Sequence, residues 1–178
     1  MRVFIAIELP EKIKKLLNET EKQIGNENAE IKWVEEQNKH LTLRFLGGVS
    51  EEKAEEIKNK LKEVKFKKFF TSVSELGVFP SESYIRVIWV GLKPDKNIIE
   101  LKEKIDFKLA EIGIEKESRF QAHITLGRVR LINDKAKLIE SIKKIEMEEE
   151  AFEVNEFKLI KSTLTRKGPI YEVIEIFS

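Results

Sequence analysis

Cysteine is absent from this 178-residue chain, which excludes a disulfide-built scaffold, thiolate catalysis, Cys-ligated zinc and iron–sulfur clusters. Glycine (8) and proline (4) are sparse. No stretch is rich in either or in serine, so no linker or low-complexity tail divides the chain. No apolar run approaches the ~18 residues that a membrane span needs. The opening Met1–Ile7 segment runs straight into Glu8 with no small-residue cleavage site. A signal peptide is therefore not expected, and a cytoplasmic location is. Nor does one charge dominate: 33 basic and 32 acidic side chains leave +1. That excludes a polycationic nucleic-acid coat and an acidic tail protein, while leaving room for a local basic groove.

What is present is charge of both signs. Charged residues reach 37% against ~25% in an average protein, and Lys and Glu are interspersed as in thermophile proteins. At this length roughly 70% of the unfolded surface can be buried, so one ordinary domain or two small lobes sharing a core folds without staples.

Periodicity lays out the elements. Arg2–Glu8 reads as a strand, and Pro10 opens a helix with Ile13, Leu16, Leu17 and Ile24 on one stripe. Lys32–Val34 and His40–Leu46 read as strands, the second stopped by Gly47-Gly48. Ser50 caps a helix carrying Ala54, Ile57, Leu61 and Val64. Phe69–Val78 and Tyr84–Leu92 form a hairpin, followed by a helix through Ile98, Leu101, Ile105 and Leu109 to Gly113. Arg119–Val129 reads as a strand, Asp134–Ile145 as a helix, and Phe152–Lys161 and Ile170–Phe177 as a closing pair of strands.

The two halves repeat one another. Each runs helix, strand carrying His-x-Thr-Leu, helix, hairpin. The predicted fold class is α+β: two pseudo-symmetric lobes of one domain (residues 1–178) formed by internal duplication. Mainly antiparallel sheets face a central groove, with helices outside.

The chain's only two histidines stand in the same frame, His40-Leu41-Thr42-Leu43 and His123-Ile124-Thr125-Leu126. Threonine occurs six times in the chain, so its presence two places after both histidines is not an accident of composition. Strand alternation puts His40, Thr42 and Arg44 on one face and Leu41, Leu43 and Phe45 on the other. His123 and Thr125 likewise oppose Ile124 and Leu126. Fold symmetry then brings both His/Thr pairs to one cavity.

Two imidazoles and two hydroxyls suit a phosphodiester. One neutral histidine accepts a proton from water and a protonated one supplies the departing alkoxide, while the threonine hydroxyls donate to the non-bridging oxygens. Arg44, Arg128 and Arg130 are candidate phosphate-binding cations. Arg128 leads because Gly127 lets the backbone bend beside it. A metal centre is not expected, since two histidines without an acidic ligand at suitable spacing are too few for zinc.

Trp33, Phe45, Phe79, Tyr84 and Phe120 are candidates for stacking on a nucleobase. The Lys65-Phe66-Lys67-Lys68 run is read chiefly as a solvated edge. Ser118, Ser162 and Thr163 lack the His–carboxylate pattern of a serine hydrolase.

The stretches Arg2–Ile7, His40–Gly47 and Phe120–Arg128, together with Ser162-Thr163-Leu164 and Gly168-Pro169-Ile170-Tyr171, resemble the two-histidine phosphoesterase superfamily. Within it, the chain is most similar to the 2'-5' RNA ligase, or RNA 2',3'-cyclic phosphodiesterase, branch. The resemblance implies hydrolysis of the 2',3'-cyclic phosphate at RNA 3' ends to a 2'-phosphomonoester, with 2'-5' joining of tRNA halves as the reverse type of reaction. It implies no metal and no cofactor, His40 as proton donor, His123 as proton acceptor, and Thr42 and Thr125 on the phosphate. The residues alone do not order the two histidines. A phosphodiesterase for small cyclic nucleotides or ADP-ribose cyclic phosphate, and a non-catalytic RNA-binding module, are the alternatives. Nothing demands more than a monomer or a membrane partner.

Overall fold

The computed structural model describes all 178 residues, Met1–Ser178. In chain order the elements are β1 (Arg2–Glu8), α1 (Glu11–Ile24), β2 (Ala29–Trp33), β3 (His40–Gly48), α2 (Glu51–Leu61), β4 (Phe69–Ser81) and β5 (Tyr84–Lys93). They continue with α3 (Lys96–Ala110), β6 (His123–Ile132), α4 (Lys135–Lys143), β7 (Ala151–Val154), β8 (Phe157–Thr165) and β9 (Gly168–Phe177). A single 3-10 turn, Glu36–Asn38, leads into β3. Local chemistry sets the helix ends. Ser50 and Asp134 accept hydrogen bonds from the Lys53 and Lys137 amides at the starts of α2 and α4. Pro10 opens α1, and Gly25 at φ 64° closes it. No helix is long and apolar enough to cross a membrane.

All strand pairs are antiparallel and join one α+β sheet in the order β7-β4-β5-β6-β3-β1-β8-β9, with β2 beside β6. Alternation along β1 shows how the sheet divides its faces. Val3, Ile5 and Ile7 enter the main core under the helices, while Phe4 and Ala6 join Ile160 and Tyr171 in a small cluster on the opposite face.

Three expectations change, the first being the short strand expected over 32–34, which is β2, Ala29–Trp33. The strand expected over 152–161 breaks at Asn155-Glu156: β7 pairs with β4, whereas β8 crosses to pair with β1. The β6 strand begins at His123, and residues 119–122 lie outside it.

The break at Asn155-Glu156 reorganises the repeat. His40's strand β3 sits in the wall β3-β1-β8-β9, and His123's strand β6 in the wall β6-β5-β4-β7. Each half of the chain therefore lends its hairpin to the wall that carries the other half's histidine. The walls meet where Leu41 of β3 pairs with Ile124 of β6.

Candidate active site

The Leu41–Ile124 pairing decides the site's geometry. Both side chains are fully buried, and the flanking His40, Thr42, His123 and Thr125 are half-buried on the other face. In antiparallel register the pairing sets His40 beside Thr125 and His123 beside Thr42. The two histidines become diagonal neighbours, roughly 7–8 Å apart, a spacing that leaves room for a phosphate between the rings.

Both imidazoles are held the same way. His40 Nδ1 lies 2.6 Å from the Asn38 carbonyl oxygen, and His123 Nδ1 lies 2.7 Å from that of Gln121. A carbonyl only accepts, so each Nδ1 carries the hydrogen and each Nε2 is the nitrogen left to exchange protons. The threonine hydroxyls that bond to protein groups are those of Thr20, Thr71 and Thr165. The Thr42 and Thr125 hydroxyls bond to no protein group.

The rings around the two histidines come from the exchanged hairpins and from β1. Phe4 stacks on His40 at 4.9 Å between centroids, and Tyr171 meets it edge-on at 5.4 Å. Phe79 meets His123 at 5.0 Å and Trp89 at 6.1 Å. Trp89 lies over its cross-strand partner Gly77, where a Cβ would come within 2.2 Å of the indole. Trp33 covers Gly127 in the same manner, with a Cβ distance of 2.7 Å. Both glycines are required for close approach of a ring.

Electrostatics acts on the His40 side of the site. Burial pushes His40 down to about 4, against the opposing pull of the Asn38 carbonyl. Burial also raises the Tyr171 phenol, with the Arg128 charge acting the other way. Behind His40, the ammonium of the fully buried Lys39 bonds to Asn18 Oδ1 (2.8 Å) and the Val34 carbonyl (2.7 Å), and pairs with Glu21 at 3.0 Å. Burial nevertheless holds the Glu21 carboxyl above its usual range. This network anchors the turn that carries Asn38 and His40.

A groove of about 440 Å³ opens beside His40, lined among others by Phe4, Asn38, Phe45, Arg128 and Tyr171. The expected cations do not all reach it. The register between β1 and β3 passes from Ala6–Thr42 to Ile5–Arg44, leaving Leu43 as an extra residue. That bulge reverses the alternation. Arg44 is carried to the helix side, where it donates to the Glu115 carbonyl and pairs with Asp106 (3.9 Å) and Glu117 (3.6 Å). Arg44 is thus corrected from a phosphate-binding candidate to a tie between β3, α3 and the segment after it. Phe45, expected to face away, lines the groove instead.

In β6 the extra residue is Leu126, between pairs Trp89–Thr125 and Ile88–Gly127. The bulge presents Arg128 to the groove. Arg130 is exposed beside Glu30 at 3.7 Å and does not line the groove.

Of the stacking candidates, Trp33 and Phe45 line the groove. Phe79 packs on His123, Tyr84 is exposed beside Arg86, and Phe120 packs on the core. Phe66 packs on Phe69 and Phe157 rather than standing out with its neighbouring lysines. No group of three or more His, Asp or Glu side chains is clustered as metal ligands would be.

The geometry has its counterpart in known proteins. The family described as LigT like Phosphoesterase matches residues 7–89 and again 90–171. This chain belongs to the LigT-like phosphoesterase family. It is 42% identical to the RNA 2',3'-cyclic phosphodiesterase of Methanocaldococcus jannaschii, covering 98% of this chain and 99% of that protein. The crystal structure of a Thermus thermophilus protein superposes with a TM-score of 0.82 at 26% identity, over 100% of this chain and 97% of the other. The Escherichia coli LigT structure complexed with 3'-AMP superposes at 0.78 with 25% identity, over 98% and 95%. As a LigT-like member, the chain has its His-Leu-Thr-Leu and His-Ile-Thr-Leu strands in separate matched segments.

Trp89 was not singled out in the sequence, and Phe4 and Tyr171 entered only within stretches that carry the family resemblance, with no role of their own. Nothing local marks their place beside the histidines, since Trp89 and Tyr171 reach them through the exchange of hairpins and Phe4 through the pairing of β1 with β3. The Asn38 and Gln121 carbonyls carry no signal either, because any residue supplies a carbonyl.

Proposed function

We propose that this chain hydrolyses the 2',3'-cyclic phosphate at RNA 3' ends to a 2'-phosphomonoester. The observation that carries the reading is the diagonal histidine pair with matched Nδ1 bonds and free Nε2 atoms. One Nε2 takes a proton from the attacking water as its oxygen bonds to phosphorus. The bond from phosphorus to the 3'-oxygen breaks, and the other Nε2 gives that oxygen its proton. The Thr42 and Thr125 hydroxyls donate to the non-bridging oxygens, with Arg128 supplying positive charge at the groove mouth. Acid, base and oxyanion donors are all side chains, so the mechanism calls for no metal ion. A 2'-5' joining of tRNA halves uses equivalent proton transfers, with a 5'-hydroxyl attacking phosphorus in place of water.

His40 is assigned as donor and His123 as acceptor. A donor that burial holds at about 4 must gain its proton together with the anionic phosphate, whose charge favours the imidazolium. The double family match over 7–89 and 90–171 supports a single two-lobed domain built by duplication.

The test is incubation with an RNA oligonucleotide ending in a 2',3'-cyclic phosphate, in EDTA, followed by product identification. Formation of the 2'-phosphate supports the reading. A 3'-phosphate product, or no conversion of the RNA while free cyclic nucleotides are opened, overturns it.

A further inference from the structure

Beside His40 the surface charge is one-sided. The groove there is lined by the cations Arg2, Lys32, Arg128 and Lys167 and by a single carboxylate, Glu35. None of those four cations has a carboxylate within ion-pair distance, whereas many of the helix lysines do. A larger hollow between α2 and α3 offers the contrast, with five carboxylates against four lysines in its lining. The groove thus gathers uncompensated positive charge beside His40 in a chain that is near neutral overall.

Backbone placement ties this charge to the site. Lys167 sits in the β8–β9 turn, closed by Thr165 Oγ1 donating to the Gly168 carbonyl at 2.6 Å. The Asn38 side-chain amide donates to the Pro169 carbonyl at 3.2 Å, and the Asn38 backbone carbonyl is the oxygen that holds His40. On the other side Lys32 pairs across strands with Arg128. Trp33 and Phe45 give the groove aromatic walls between these cations.

We infer that this groove is a subsite for the single-stranded RNA immediately 5' of the cyclic phosphate, holding two or three backbone phosphates on Arg2, Lys32 and Lys167. The inference rests on the phosphodiesterase reading above and names where its substrate strand runs. Charge complementarity identifies the occupant. Fixed cations between aromatic faces suit a phosphate backbone whose bases stack without a sequence code.

The experiment compares kcat/KM for a cyclic mononucleotide and for a tetranucleotide with the same cyclic end, across salt concentrations. The tetranucleotide is expected to be at least about 10-fold better at low salt. Its logarithmic salt slope is expected to be steeper by about 1.4–2.1, at about 0.7 for each single-strand phosphate contact. Lys32→Ala and Lys167→Ala should each reduce the tetranucleotide value about 3- to 10-fold and flatten its slope, with mononucleotide turnover as the internal reference. Equal kcat/KM for the two substrates, or an advantage indifferent to salt and to both variants, overturns the subsite alone. Absence of turnover on both substrates overturns the phosphodiesterase reading and the subsite with it.

Discussion

Tyr171 stands edge-on to His40 with ring centroids 5.4 Å apart, although one residue lies in the last strand and the other in the third. Trp89 and Phe79 reach His123 from the opposite exchange. Each histidine is therefore walled by the hairpin of the other half, and neither half can assemble its site alone. The interleaving makes one cooperative domain of what the sequence repeat presents as two units.

In the proposed mechanism, loss of either histidine removes a proton-transfer group. His40→Ala and His123→Ala should each lower kcat by about 10²–10⁴, with the fold retained by circular dichroism. Steady-state turnover of cyclic-phosphate RNA checks this. The wild-type rate should be bell-shaped in pH, because one imidazole must be charged and the other neutral.

Arg44 and Arg128 part company experimentally. Arg44→Ala takes one of two cations from Asp106, a carboxylate only 6% exposed that keeps Lys102, and should lower stability by about 1 kcal/mol with KM unchanged. Arg128→Ala should leave the denaturant midpoint in place and raise KM. Unfolding curves and Michaelis plots on both variants separate the two roles.

The contrast between these arginines marks the limit of what was legible in the sequence. The His-x-Thr-Leu frames, the alternation that buries Leu41 and Ile124, the helix caps and the hairpins all follow from local rules. A bulge at Leu43 does not, because it depends on the register with β1, and it reversed the predicted faces of Arg44 and Phe45. The crossing at Asn155-Glu156 is equally silent. The residues on either side read as one continuous strand, and only partner choice in the sheet divides them.

Acid should weaken the fold through His40. Its folded pKa of about 4 lies below the ordinary 6.5, so between those values the unfolded chain holds the extra proton. Stability then falls as pH drops from about 6.5 to about 4, by up to about 3 kcal/mol. This loss is absent above that window. His40→Gln should lose less stability than wild type between pH 7 and pH 4.5 in urea denaturation. Equal losses would place the acid sensitivity elsewhere.

Gly77→Ala should evict the Trp89 indole, since its Cβ would come within 2.2 Å of the ring. Overpacking of this kind costs about 1–3 kcal/mol. Because Trp89 flanks His123, kcat should fall while binding of the 2'-phosphate product is kept. Melting temperature, kcat and product inhibition measured together check this.

The division of labour between the histidines is tested most directly with a cyclic RNA substrate whose bridging 3'-oxygen is replaced by sulfur. A thiolate departs without help from an acid, so the variant lacking the donor should recover while the variant lacking the base should not. The account predicts that His40→Ala regains most of the wild-type rate on this substrate and that His123→Ala stays impaired. Recovery of His123→Ala instead, or of neither variant, would contradict it.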